Sequence, residues 1–359
     1  MSHAYALIMA GGAGTRLWPL SREKRPKPAL ALVDATRSMF QISVERLSPL
    51  FSKERIRVVA NRELAEMLRE HTPDIPAENF IIEPAGRDTA PAVGLGAIHI
   101  RHRDPDALVA VLTADHFIAD ETGFRAALDA ACQVAKQGMI VTLGIAPGYP
   151  STGFGYIERG SLSQTINGVD IYDLKRFVEK PNQARAEEFV RDGQHSWNSG
   201  MFIWQVRRLM AEFAKHSPAL NASLETLAAA IETPEYDPLL AKIWPDLRRV
   251  SIDYALMEHI DHGVKVIPVN IGWSDIGNFE ALYDILSEGK DHVVVGHEPL
   301  ALDSKRLLIF SQRLVATIGV EDLVIIDTED VLLICPRDRA QDIKQLVETL
   351  KNNQRHEYL

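Results

Sequence analysis

Cysteine is almost absent: the 359 residues hold two, Cys132 and Cys335, each inside an apolar run (AACQVA, LLICPR). Two thiols build neither a disulfide framework nor a cysteine zinc site. Their setting predicts buried, reduced groups in a cytoplasmic protein. Long hydrophobic runs are missing too. No stretch approaches the roughly 20 apolar residues of a membrane span, and the start MSHAYALIMAGG lacks the basic region of a signal peptide. Positive charge is in deficit, with 39 Lys and Arg against 49 Asp and Glu and a formal net charge of -10. That excludes a general nucleic-acid binder, whose phosphate contacts need a basic surface. What remains is ordinary globular composition, 46% hydrophobic and 25% charged, in a chain suited to one large domain and a smaller one.

The first half alternates short apolar runs with amphipathic segments. Tyr5 to Met9, Arg57 to Ala60, Phe80 to Glu83, Ala107 to Thr113 and Ile140 to Leu143 read as buried strands. Phe40, Val44 and Leu47 share a helical face; Val93, Ala97 and Ile100 follow Pro91 at helical spacing. Thr122 is placed to cap a helix that buries Phe124, Leu128, Ala131 and Ala135. Strands alternating with helices predict an α/β fold with a Rossmann-like, mostly parallel sheet, whose ligands gather at the carboxyl ends of the strands. The middle is less regular, with a glycine-rich turn at Thr152 to Gly155, a strand ending in FVEKP, and several helices. Val264 to Val269 resumes strand character and Asn278 to Leu286 reads as a closing helix. After Gly289 the runs LLIF, LVATI, LVIID and VLLIC predict a small β-rich, solenoid-like domain, followed by a helix with Ile343, Leu346, Val347 and Leu350 on one face. The division expected is 1–288 and 289–359. The tail carries few catalytic groups, so its expected job is packing, against the main domain or a second copy in a homodimer.

The first strand runs directly into AGGAGTRLWPLSREKRPKP. Gly11, Gly12 and Gly14 allow positive φ and let phosphate oxygens approach the backbone from Ala10 to Thr15. Arg16 and Lys27 supply cations for those oxygens, with Arg22, Lys24 and Arg25 as weaker candidates. Two common phosphate motifs fail. Leu17 stands where a dinucleotide fingerprint needs its third glycine, and no Gly-Lys-Ser/Thr follows for a Walker loop.

MAGGAGTRLWPLSREKRPKPAL resembles the signature of the sugar-1-phosphate nucleotidyltransferases, and the RLWPLSR wording points to their mannose-1-phosphate guanylyltransferase group. EPAGRDTAPAV, LTADHFI, STGFGYIE, FVEKP, WNSGMFIW, SIDYALME, GWSDIGNFEALY and the tail LVATIGVEDLVIIDTEDVLLICPRDRAQDIK extend the likeness over nearly the whole chain. The resemblance implies a glycosyltransferase-A-like catalytic fold with a β-helix-like tail. It also implies a reaction in which mannose 1-phosphate attacks the α-phosphorus of GTP, giving GDP-mannose and pyrophosphate. No strong general base is needed, because a phosphate with a second pKa near about 6 is already largely an anion. Catalysis rests on aligning two anions and neutralising charge, which calls for Mg²⁺ on carboxylates. Asp115, ending the strand VAVLTAD, and Asp275, in GWSDIG, match the family's metal positions; alone, either reads as a loop or capping aspartate. Lys180 resembles the lysine that grips the sugar phosphate, and Glu179, Asn198 and Gly155 resemble sugar-contacting positions. Arg87, Asp88 and Thr89 read equally as contacts to a guanine edge or as the cap of the helix opening at Pro91. His116 and His259 read as structural. Ser251 and Asp253 read as a capped helix start. One departure stands out. Relatives carry Pro-Lys-Gln-Phe where Pro28 and Ala29 follow Lys27 here. The separate isomerase domain of bifunctional relatives is not expected.

Overall fold

A computed structural model describes residues 3–12, 14–287 and 289–359. The chain forms two compact units. One comprises Met1–Gly11, Ser43–Ala114 and Ile118–Trp273; the other comprises Gly12–Ile42, Asp115–Phe117 and Ser274–Leu359.

The first unit is built on β1 (Ala4–Met9), β2 (Ile56–Ala60), β3 (Phe80–Ile82) and β4 (Leu108–Thr113). The two-residue β5 (Phe117–Ile118) lies outside its sheet. The sheet continues with β6 (Ile140–Ile145), β7 (Tyr156–Ile166), β8 (Val169–Val178), β9 (His195–Gln205) and β10 (Val264–Val269). Their order is β3-β2-β1-β4-β9-β6-β10-β8-β7. The first four strands are mutually parallel, as are β6 and β10. β9 enters antiparallel between β4 and β6 and brings Asn198 opposite Gly144. All five residues of β2 are buried, as a strand covered on both faces requires. The core joins Leu7, Val59, Val109, Val111, Phe202 and Trp204 to apolar faces of helices Thr89–Arg103, Val206–His216 and Pro218–Ala228. Each side chain buried this fully contributes about 1.5–3 kcal/mol. The helix Glu121–Ala135 is capped by Asp120, whose carboxylate accepts from Gly123 N–H, not by Thr122, which lies inside the first turn. Aspartate at the true cap position wins because its oxygen reaches the open N–H groups.

The second unit carries β11 (Trp273–Ser274) at its border and the tail strands β12 (His292–Gly296), β13 (Leu300–Leu302), β14 (Leu307–Ser311), β15 (Ala316–Ile318), β16 (Leu323–Asp327) and β17 (Leu332–Pro336). β12, β14 and β16 stack in parallel and β17 closes antiparallel; β13 and β15 form a second parallel pair. Parallel strands from successive turns of chain are the solenoid-like arrangement expected of the apolar runs. Its core is shared with the segment after Gly12. Leu17, Trp18, Leu30, Leu32 and Met39 pack with Phe279, Leu308, Val324, Leu333, Ile343 and Val347. Trp18 Nε1 donates to the carbonyl of Tyr358 at 2.6 Å. Leu346, expected on the buried face of the last helix, is instead exposed, while Ile343, Val347 and Leu350 make that contact. Among the described residues no helix is long and apolar enough to cross a membrane.

Candidate active site

β1 ends in a loop with little side-chain cover. A Cβ added at Gly11 or Gly12 would meet nothing within 4 Å, so the backbone there is open to a ligand. Gly12 has φ 112°; Ala13 lies outside the described residues. At Gly14 the constraint is twofold. Its φ is 57°, and a Cβ would sit 2.9 Å from both Lys27 Cβ and Ser21 Oγ. Glycine therefore lets the loop close onto Lys27. Pro26 precedes a short turn, Lys27–Ala29, in which Lys27, Pro28 and Ala29 are all buried. The departure at Pro28 and Ala29 thus supplies apolar packing around the lysine and no polar group of its own.

Lys27 is only 5% exposed. Its ammonium lies 3.0 Å from Asp115 Oδ2 and donates to the backbone carbonyl of Asp275. Three groups far apart in sequence therefore meet within the second unit. Ile276, directly after Asp275, is fully buried with φ 41°, a left-handed conformation that a β-branched residue rarely adopts. Its N–H is held by Ser274 Oγ at 3.1 Å. A Cβ built on Gly277 would lie 2.9 Å from Asp275 Oδ2 and 3.3 Å from Arg16 Nη2, so carboxylate and guanidinium flank one spot. Arg16 also donates to Gln341 Oε1 at 3.1 Å. Of the weaker candidates, Arg22 is committed to the tail through paired bonds to Asp330 at 2.7 and 2.9 Å; Lys24 and Arg25 are exposed.

Within the first unit a second polar group forms around Glu179, Lys180 and Asn198. Lys180 (φ 44°) donates to Glu179 Oε1. Burial alone would lower the pKa of this ammonium, but the bond and charge of Glu179 outweigh it and hold the pKa above its ordinary value. Glu179 Oε2 is buried without a hydrogen-bond partner among the described residues. A Cβ on Gly155 would displace that oxygen and touch Asn198 Cβ at 3.4 Å, so glycine there leaves Glu179 its present place. Asn198 N–H in turn donates to the Gly155 carbonyl at 2.8 Å.

Asp253 belongs to this group, contrary to its reading as a helix-start cap. It opens a π-turn, Asp253–Met257, and its Oδ1 accepts from Asn198 Nδ2 at 2.8 Å. Ser251 alone keeps the capping part, accepting from Tyr254 N–H. Nothing local in SIDYALME distinguishes the two uses; only the non-local partner does.

Arg87, Asp88 and Thr89 are all engaged in hydrogen bonds, Asp88 within its own turn and the other two with the segment 244–252. Arg87 donates to the carbonyls of Trp244 and Pro245. Asp88 (φ 69°) caps the helix by accepting from Thr89 N–H at 2.7 Å, and Thr89 Oγ1 accepts from Ile252 N–H at 2.8 Å. Just before them, Glu83 is buried and its Oε2 lacks a partner among the described residues. Burial pushes its carboxyl up to about 7, against a smaller opposing effect of the Arg87 backbone N–H. It lines a cavity of about 580 Å³ with Phe80, His99 and Tyr236. Between pH 4.5 and 7 the folded chain keeps a proton on Glu83 that the unfolded chain releases, so stability falls as pH rises through that window. Glu83→Gln is therefore expected to gain on the order of 3 kcal/mol at pH 8 and nothing below about pH 4.5. Denaturant melts at pH 4 and pH 8 check this; equal shifts at both would remove the ionisation argument.

An open glycine loop after a parallel strand, with a lysine and two aspartates gathered in one cluster, has the parts of a phosphate-transfer site. Residues 5–291 match the nucleotidyl transferase family, and residues 297–350 match the MannoseP isomerase/GMP-like beta-helix domain. The chain belongs to the nucleotidyl transferase family and is an enzyme of that class. It is 41% identical to mannose-1-phosphate guanylyltransferase 2 of Escherichia coli O157:H7, over 99% of this chain and 75% of that protein. It is 40% identical to the mannose-1-phosphate guanylyltransferase of Klebsiella pneumoniae, over 98% and 75%. A crystal structure described as mannose-1-phosphate geranyltransferase from Thermus thermophilus superposes with a TM-score of 0.87 at 35% identity, covering 97% of this chain and 99% of that one.

Proposed function

We propose that this chain is a mannose-1-phosphate guanylyltransferase. A phosphate oxygen of α-D-mannose 1-phosphate attacks the α-phosphorus of GTP in line, the bond to the bridging oxygen breaks, and pyrophosphate leaves without a covalent intermediate. The observation that carries the reading is the Lys27 ammonium held against both Asp115 and Asp275, in a chain so similar to enzymes of that name.

In this reading the backbone from Ala10 to Thr15 receives the triphosphate, and Arg16 and Lys27 neutralise its oxygens. Asp115 and Asp275 would hold Mg²⁺. The donors are hard oxygens and already attract one cation, and two carboxylates suit a magnesium ion that completes its shell with phosphate oxygens and water. When bound, the ion supplies further neutralisation of phosphate charge. Pro84 to Thr89 present the base-binding loop, with Arg87, Asp88 and Thr89 as candidates for the guanine edge. Lys180 grips the sugar phosphate. Glu179, Asn198 and Gly155 take the sugar, and the unpartnered Glu179 Oε2 is suited to accept from a hydroxyl.

The same reading takes 1–288 as the catalytic domain and 289–359 as the β-rich domain. It places the enzyme in the cytoplasm, in keeping with two free cysteines, and apart from nucleic acid and membrane. The exposed Leu300, Leu302, Ile318, Leu332 and Ile334 on the tail support a homodimer. The deciding experiment crosses GTP and the other triphosphates with mannose, glucose and related 1-phosphates, reads pyrophosphate release, and includes an EDTA control. A strong signal for another pair, with none for GTP and mannose 1-phosphate, rejects the assignment. Lys180→Ala is expected to raise the KM for mannose 1-phosphate by roughly tenfold or more, as for a lost charge-assisted hydrogen bond, with the KM for GTP nearly unchanged. An effect on GTP alone would remove Lys180 from the sugar phosphate.

A further inference from the structure

We propose that Asp253 is a positioning residue for the sugar: its half-buried carboxylate helps fix which way the Asn198 amide points, and so which hydroxyl pattern the enzyme selects. The proposal rests on the reaction assigned above and concerns a residue that touches Asn198, not the reacting atoms.

An asparagine amide can be turned by half a rotation with little change in shape, exchanging its donor and acceptor ends. Here both ends are tied. Asn198 Oδ1 accepts from the Gly200 backbone N–H at 3.1 Å, a group that can only donate. Asn198 Nδ2 donates to Asp253 Oδ1 at 2.8 Å, and an ionised carboxylate can only accept. One amide hydrogen and one lone pair are then left, in a fixed arrangement, for a ligand. The π-turn that Asp253 opens is a second sign, since such turns recur where a helix has been adjusted for function.

Asp253's half of the lock works only while its carboxylate is ionised. Burial first, then the nearby charge of Glu179, raises its carboxyl to about 6, while the Asn198 bond and the Lys180 charge oppose that shift. Glu179 and Lys180 are the charged groups acting on it from the end of β8. On its own turn lies Tyr254, with Glu258 and His259 just past its end, and helix Val206–His216, which packs on that turn, contributes His216, stacked on His259, and Glu212. A protonated Asp253 can donate as well as accept, so its half of the lock is lost and only the Gly200 N–H still favours this orientation.

Asp253→Asn imitates the protonated form at every pH. The wild type is first assayed with GTP and mannose 1-phosphate; no pyrophosphate from it overturns the assigned reaction and this proposal together. Given turnover, the variant is expected at pH 8 to raise the KM for mannose 1-phosphate roughly tenfold, as for one misaligned hydrogen bond, with the KM for GTP within about twofold. Preference for mannose 1-phosphate over glucose 1-phosphate should narrow. The wild-type-to-variant ratio of kcat/KM should fall toward one as pH drops through about 6. The titration of the substrate phosphate cancels in that ratio. In an Asn198→Ala background the same change should add nothing. A pH-independent ratio, equal effects on both substrates, or a full effect without Asn198 overturns the role of Asp253 and leaves the assigned reaction standing. Should the variant fail to fold, Asn198→Ala alone decides. The wild-type-to-Asn198→Ala ratio must show the same fall near pH 6, and a flat ratio overturns the proposal.

Discussion

Asp275→Asn is expected to lower turnover by roughly 10²-fold or more, the usual loss for a preorganised transition-state stabiliser, while the protein folds as before. The two halves of that expectation come from different atoms. The backbone carbonyl of Asp275, not its side chain, takes the Lys27 hydrogen bond, and a substitution at the side chain leaves the carbonyl in place. The left-handed turn at Ile276 follows from Ser274 and from burial of the isoleucine, and asparagine tolerates its own place in such turns well. What is lost is one negative charge near Arg16 and, on the proposed reading, one of the two carboxylates for Mg²⁺. Circular dichroism and a pyrophosphate assay across a Mg²⁺ titration check both halves. Near-normal Mg²⁺-dependent rates would take Asp275 out of the site.

Lys27→Met should be at least as damaging to turnover, by roughly 10²–10³-fold, and in contrast should also destabilise the fold. The ammonium is buried, whereas Asp115 keeps 22% of its side chain in contact with solvent. Removing the lysine therefore leaves a partly solvated carboxylate unbalanced, and a loss of about 1–3 kcal/mol is expected, below the range for a fully buried pair. Combining Lys27→Met with Asp115→Asn should recover part of that stability and none of the turnover. Denaturant melts of the single and double variants, set beside their rates, separate the two effects. Full recovery of rate in the double variant would show that Lys27 serves only to neutralise Asp115.

Much of this was legible before the fold. β1 running into a glycine loop, the strand Val264–Val269 and the tail runs are carried by local apolar pattern, and the structure repeats them. Less legible were the long hairpin of β7 and β8 and the antiparallel β9. YIERGSLSQTI is too polar for a buried strand, and HSWNSGMFIWQ mixes polar residues into a strand that is nevertheless mostly buried. Local pattern also cannot report partners. The meeting of Lys27 with Asp115 and Asp275, the tie from Asp253 to Asn198, and the orphan oxygen of Glu83 depend on packing between distant segments. The resemblance named Lys27, Asp115, Asp275 and Asn198 but neither Asp253 nor Glu83, and burial and contact are what distinguish a positioning carboxylate from a cap.

The hydrophobic core common to Leu17, Trp18 and Leu30 and to Val324, Leu333 and Val347 gives the tail a kind of heredity of its own. On the proposed assignment, loosening LLIF or LVIID would disturb the footing of the segment after Gly12 without changing any reacting group. On that assignment, selection for catalysis reaches residues that never meet a substrate, and the aliphatic runs LLIF and LVIID come under the same scrutiny as the lysine-bearing segment they pack against.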